Sequence, residues 1–232
     1  MIYDQLHSNQ YYLNKNQNMI IPKLHYVSQG NSAKEHLDNI QKACTAGAEL
    51  VQLDVKNVSE KKFLKLALAA REVTSHYQTR LIISHYYKIA KEVKADGVYL
   101  WKSDPCPTIV RKNLFSWQTI GSTANTLQEC EQLIAKEVDY IRLAPFRMKA
   151  GKDNLSTILG LNGYTAILEA LHTDTPILGA GGISTEDVKG ILETGISGIA
   201  VSGAITRNFN SIRTFNQMLK ASSSEEKPYT FN

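Results

Sequence analysis

One unit of structure recurs along this chain. A helix ends in small residues, two or three turn residues follow, and a short apolar strand then runs into polar residues. The unit reads AGAELVQLD at residues 46–54, KADGVYLW at 94–101, EVDYIRLA at 137–144 and TGISGIAVS at 194–202. Intervening strands fit residues 23–27, 80–83, 119–122 and 176–179, which makes eight. Strands buried on both faces and alternating with amphipathic helices imply a parallel sheet. Eight such units close more naturally into a barrel than into an open sheet, so the expected fold is a single α/β domain, a (β/α)8 TIM barrel, with the doubly wound open sheet as the rival.

The helices carry their own boundary signals. Ser32 with Glu35, Thr126 with Glu129, and Ser184 with Asp187 have the spacing of a capping box, in which a hydroxyl takes an orphan amide N–H and an acid reaches back. Apolar residues follow at helical spacing, as in Leu37, Ile40 and Cys44 or Val188, Ile191 and Leu192. Gly47 and Gly195 stand where a left-handed C-terminal cap is expected. The stretch FLKLALAA at 63–70 reads as helix core.

Composition narrows the functional classes. The 232 residues, 43% of them hydrophobic, suffice for one barrel core. The 26 basic and 22 acidic residues give a net charge of +4 but are interspersed, with no basic block to track a nucleic-acid backbone, so nucleic acid is not an expected partner. Cys44, Cys106 and Cys130 are odd in number and lack CxxC spacing, which argues against a disulfide framework or a zinc site and for a reducing cytoplasm. No apolar run approaches the ~20 residues that span a bilayer, so no membrane partner is expected. Residues 1–18 lack both a hydrophobic period and the apolar core of a signal peptide. The expected organisation is a loosely held extension at 1–18, a barrel domain at 19–221 and a tail at 222–232, with a homodimer left open.

A barrel of this kind keeps its chemistry where the strands end, so the polar residues after each apolar run are the candidates. They are Gln52, Asp54 and Lys56 after strand 2, Ser84 and His85 after strand 3, and Lys102 and Asp104 after strand 4. Strand 5 leads to Ser122, Thr123 and Asn125, strand 6 to Arg147, Lys149 and Lys152, strand 7 to Gly181 and Gly182, and strand 8 to Ser202 and Gly203. GAGGIST at 179–185 and VSGAIT at 201–206 together describe a phosphate cradle built from the last two loops, although Gly181 and Gly182 could instead serve only a tight turn. Asp104 could hold Mg²⁺ with help from water and substrate phosphate. Lys56 and Lys152 could neutralise phosphate charge, and His85 could exchange a proton near neutral pH.

These residues resemble one family, that of thiamine phosphate synthase and TenI. LVQLDVK, KADGVYLWKSD, IGSTANTLQECEQLIAKEVDYIRLAPF and TPILGAGGISTEDVKGILETGISGIAVSGAI carry the resemblance, which covers roughly 23–219. It implies the barrel fold, a role in thiamine biosynthesis, and a synthase that joins hydroxymethylpyrimidine pyrophosphate to a thiazole phosphate with release of pyrophosphate. It implies that Gly181, Gly182, Val201 and Ser202 hold the thiazole phosphate, that Gln52, Thr123 and Asn125 line the substrate, that Lys56 and Lys152 meet pyrophosphate, and that Asp104 holds Mg²⁺. Against the family pattern, Asp54 stands where the synthases have a pyrophosphate-binding arginine, Ser84 and His85 replace an Asn-Asp pair, and the Thr-x-Thr segment is absent from FRMKAGKD. Those changes weaken the electrostatic half of a synthase site. The TenI branch, thiazole tautomerases, needs neither metal nor pyrophosphate, but its histidine after strand 5 is Asn125, leaving His85 as the candidate proton carrier. A catalytically silent barrel that binds and delivers a phosphorylated ligand is the third alternative.

Overall fold

A computed structural model of the chain describes residues 20–147 and 157–221. The terminal segments expected at 1–18 and 222–232 lie outside the described residues, as do Lys149 and Lys152. The barrel starts with β1 (Leu24–Val27), α1 (Ala33–Thr45), β2 (Leu50–Leu53), α2 (Glu60–His76), β3 (Arg80–Ser84) and α3 (Tyr87–Glu92). It continues through β4 (Gly97–Leu100), α4 (Pro107–Arg111), β5 (Thr119–Ala124), α5 (Leu127–Ala135), β6 (Tyr140–Leu143) and α6 (Gly160–Ala170). It ends with β7 (Ile177–Ala180), a 3-10 turn (Thr185–Asp187), α7 (Val188–Glu193), β8 (Gly198–Val201), α8 (Gly203–Arg207) and α9 (Ser211–Ala221).

The eight strands pair in chain order, all parallel, and β8 returns to β1 with Leu24 opposite Ile199, so the barrel is closed. All eight strands expected from the sequence are present, and the barrel rather than the open sheet is the fold. Strand alternation divides the buried residues between two cores. One face of each strand joins the helices in an outer core that includes Val51, Leu53, Leu81, Ile83, Ile141 and Leu143. The other face fills the lumen, where Leu50, Ile82, Tyr99, Tyr140 and Leu178 form a separate cluster.

Local chemistry fixes the connections. Ser32 and Thr126 cap α1 and α5 by accepting the N–H of Glu35 and Glu129. Their acids reach one residue further back than a closed box requires, Glu35 to Asn31 N–H and Glu129 to Asn125 N–H, each at 2.7 Å. Only Asp187, a methylene shorter, closes reciprocally on Ser184, and it does so over a 3-10 turn. Gly47 and Gly195 take the left-handed conformation expected after their helices, with φ of +89° and +92°. At the opposite pole, Asp96 and Asp139 each accept the N–H of the preceding strand, from Leu81 at 2.8 Å and Ile120 at 2.6 Å. Arg71 and Arg111 pair with the same carboxylates, an arrangement suited to stability at the face that carries no chemistry. No helix among the described residues is long and apolar enough to cross a membrane.

Candidate functional site

Strands that all run one way deliver their C-terminal ends to one mouth. In β7 and β8 Ala180 lies opposite Ala200, so Gly181–Gly182 and Val201–Ser202 continue side by side. Gly181 and Gly182 have φ of +94° and +83°, a conformation that costs a residue with a side chain roughly 1–2 kcal/mol. The turn aims the carbonyls of Ala180 and Gly181 at the loop after β6, where they accept from Phe146 N–H at 2.8 Å and Arg147 N–H at 3.0 Å. The approach is close: a Cβ on Gly181 would lie 2.9 Å from Pro145 Cα, and one on Gly182 2.5 Å from Arg147 Cγ. The tight-turn role of the glycine pair is therefore real. The same twist leaves the N–H groups of Gly181 and Gly182 without an acceptor among the described residues, and Ser202 N–H is free in the same way.

Two guanidinium groups border these amides. Arg147 crosses Gly182 and pairs with Asp187, and Arg207 Nη1 comes within 3.2 Å of where a Cβ on Gly203 would stand. Unpaired amides flanked by arginines form an environment for an anion.

Across the mouth, β3 and β4 present a second group. His85 holds a left-handed backbone, φ +65°, a strain of order 1 kcal/mol that persists only where the surroundings fix it. Its Nδ1 lies 2.9 and 3.0 Å from the two oxygens of Asp104, which also accepts Trp101 N–H at 2.7 Å. The imidazole stacks on the Trp101 indole at 19°, and Lys56 Nζ lies 5.5 Å from the centroid of an indole ring. Asp104 was expected as an open Mg²⁺ ligand, but both its oxygens are engaged and its nearest side-chain neighbour is a nitrogen. Among the described residues no three His, Cys, Asp or Glu side chains converge, so a Mg²⁺ held here would rest on Asp104 with water and substrate phosphate, in place of the contact with His85.

The remaining expected residues are held as follows. Gln52 is fully buried, donating to Ser84 Oγ at 2.8 Å and accepting from Arg142 Nη1 at 2.5 Å. Thr123 Oγ1 meets Tyr99 OH at 2.5 Å. The Asn125 amide donates to Ala144 O and accepts from Lys102, which also reaches Glu129 at 2.5 Å. Val201 buries its side chain in the outer core, leaving only its backbone for the mouth. The structure thus brings Gly181, Gly182, Val201 and Ser202 together on one side and Lys56, His85 and Asp104 on the other.

The sequence pattern points to Gln52, Ser84 and Thr123, which the structure places within strands, but not to Arg142, His25 and Tyr99, which lie deeper in the apolar runs. Arg142 donates to His25 Nδ1 at 2.6 Å and lies over the Tyr99 ring at 4.2 Å. Burial, and then the Arg142 charge, hold the His25 imidazole well below its usual range, so it stays neutral and accepts. Burial likewise raises the Tyr99 phenol. A signal existed: a charged residue in an apolar strand, at the parity that points inward.

Comparison with known proteins shows the family. A family model described as thiamine monophosphate synthase matches residues 24–205. The thiamine-phosphate synthase of Flavobacterium psychrophilum is 39% identical over 201 residues, covering 85% of this chain and 98% of that protein. The thiamine-phosphate synthase of one Bacteroides fragilis strain is 34% identical over 185 residues, covering 78% and 91%. A thiamine phosphate pyrophosphorylase from Pyrococcus furiosus superposes with a TM-score of 0.72 at 24% identity, covering 88% of this chain and 96% of that one, a likeness of fold. With the family model spanning most of the barrel and relatives above 30% identity over most of both chains, this chain belongs to the thiamine monophosphate synthase family.

Proposed function

We propose that this chain is a cytoplasmic thiamine-phosphate synthase of altered site, joining a hydroxymethylpyrimidine pyrophosphate to a thiazole phosphate. One observation carries the proposal: the unpaired amides of Gly181, Gly182 and Ser202, on loops adjacent in register and bordered by Arg147 and Arg207. Together they suit the phosphate of the thiazole, whose ring would then extend toward Thr123. In the coupling step the thiazole nitrogen forms a bond to the pyrimidine methylene carbon as the bond from that carbon to oxygen breaks, and the electron pair leaves with pyrophosphate. Orienting the two rings is the larger part of such catalysis. No step is assigned to a metal; Lys56 is a cation on the β2 side of the mouth that could meet the departing charge, and Asp104 is the carboxylate that would hold Mg²⁺ beside it.

The hydrogen bonding between His85 and Asp104 favours a second reading, a tautomerase that moves a proton on a phosphate-anchored thiazole. Asp104 occupies Nδ1 and leaves Nε2 for exchange, the orientation a general acid or base requires. Two assays of the purified protein decide between them. Formation of thiamine phosphate from both substrates, lost in Gly182→Ala, supports the synthase. Thiazole isomerisation without coupling, lost in His85→Ala, supports the tautomerase, and absence of thiazole-phosphate binding defeats both.

A further inference from the structure

Arg142 is 3% exposed and points into the lumen from the middle of β6. Its partners are Gln52 Oε1, His25 Nδ1 and the rings of Tyr99 and Tyr140, with centroids at 4.2 and 5.6 Å. None of these is an anion. Among the described residues Arg142 has no carboxylate within ion-pair distance. A guanidinium cannot shed its proton, and burying one without a counter-charge is costly even over two aromatic faces.

The surroundings are rich in unused donors. Two of the five guanidinium hydrogens are placed, and Nε is buried without an acceptor. Because His25 accepts through Nδ1, its proton sits on Nε2, which points away from Arg142, with the Pro22 backbone beside the imidazole. Trp101 Nε1, in the loop after β4, is a second orphan donor. Orphaned buried groups of this kind call for a missing partner, and an unpaired N–H on a cation that lacks a counter-charge calls for an oxyanion. Two orphans do not fit that pattern: Tyr140 OH can donate or accept, and Asp54 Oδ1 is an acceptor that opposes an anion. Thr123, Trp101 and Ala180, at the C-terminal ends of β5, β4 and β7, are only partly buried.

We propose that Arg142 is an oxyanion-binding residue of the lumen, distinct from the β7–β8 amides, and that it takes a phosphoryl oxygen of the reacting ligand. The proposal rests on the synthase reading only for the identity of that ligand, the pyrophosphate-bearing substrate. In it the cation on β6 does the attracting, while Asp54, just after β2, limits how much negative charge the lumen accepts.

The test is calorimetric titration of inorganic pyrophosphate, and separately of inorganic phosphate, in buffer containing a metal chelator. Wild-type protein is compared with Arg142→Met, Arg142→Lys and Asp54→Asn, each checked for folding by its thermal melt. Arg142→Met should weaken pyrophosphate binding at least about 10-fold, the loss of one charge-assisted contact, while thiazole phosphate still binds within about 3-fold of wild type. Should Arg142→Met fail to fold, Asp54→Asn still decides, because Asp54 is only partly buried and the substitution keeps its size, and loss of its charge should tighten pyrophosphate severalfold. Wild-type protein that binds neither probe overturns the proposal. So does an Arg142→Met that binds pyrophosphate like wild type, or an Asp54→Asn with unchanged or weaker binding. Failure of thiazole phosphate to bind wild type, with the pyrophosphate results as expected, would sink the synthase reading and leave Arg142 standing.

Discussion

His85 and Asp104 lie on neighbouring strand ends and meet through one imidazole nitrogen and both carboxylate oxygens, at 2.9 and 3.0 Å. The carboxylate also takes the Trp101 amide, so it holds the loop after β4 and the ring after β3 at once. A pair that shares this much geometry should not behave additively. His85→Ala and Asp104→Ala, alone and together, should give a coupling energy of about 0.5–3 kcal/mol in denaturant unfolding. Additive effects would mean the contact does nothing for the fold.

The buried histidines give the fold an acid-side weakness. Burial, and then the Arg142 charge, depress His25, and burial depresses His36, which meets Ser28 Oγ at 2.9 Å. The unfolded chain takes up protons on these residues near pH 6.5 while the folded chain does not. Below that point the unfolded state binds more protons, so stability falls as pH drops from about 7 toward 5. Urea unfolding at stepped pH should show this slope, and His25→Asn, which keeps an acceptor for Arg142, should flatten it. A slope equally steep in the variant would mean that His25 is protonated in the folded protein.

The barrel was legible because its signal is repeated: eight apolar runs, each set off by small or turn residues, fix the architecture even where single boundaries drift. Strand 3 ends at Ser84 rather than Ile83, and strand 5 at Ala124 rather than Ser122, small shifts because barrel closure fixes the pairing while polar ends fray. The turn after β7 was legible for a related reason, since two adjacent glycines leave few alternatives to positive φ. What the sequence hid depends on contacts across the lumen. The Asp104 carboxylate reads alone in the sequence, and only the pairing of β3 with β4 brings the His85 ring, 19 residues away, against it. Arg142 and Gln52, 90 residues apart, become partners only when β6 and β2 face one another across the closed sheet.

The glycine pair makes a prediction that separates packing from binding. In Gly181→Ala the new Cβ meets backbone, Pro145 Cα at 2.9 Å, whereas in Gly182→Ala it meets the flexible Arg147 side chain at 2.5 Å. Both pay roughly 1–2 kcal/mol for left-handed backbone, but the first meets backbone of the β6 loop at 2.9 Å and the second meets it, at Arg147 O, only at 3.3 Å, so the first displaces that loop further. Gly181→Ala should therefore melt lower than Gly182→Ala, while both weaken thiazole phosphate in calorimetry. Equal melting temperatures would show that the loop after β6 yields as readily as the arginine does.

Gln52 and Arg142 supply the last expectation. Gln52→Leu removes the acceptor of a buried cation and the donor to Ser84 Oγ, leaving charged and neutral groups unpaired together. Such a loss costs about 1–3 kcal/mol per neutral group and more for a charged one. Replacing both members of a buried pair with apolar residues is by contrast often neutral. The Gln52→Leu, Arg142→Met double variant should thus be more stable than Gln52→Leu alone, even though it carries one more substitution. His25 Nδ1, which loses its donor in the double variant, sets the limit on that recovery, because burial keeps the imidazole neutral and its acceptor then stands unpaired. Chemical denaturation of the four proteins at pH 7 measures it, and a double variant less stable than Gln52→Leu would show that Arg142 is itself a net stabiliser of the lumen.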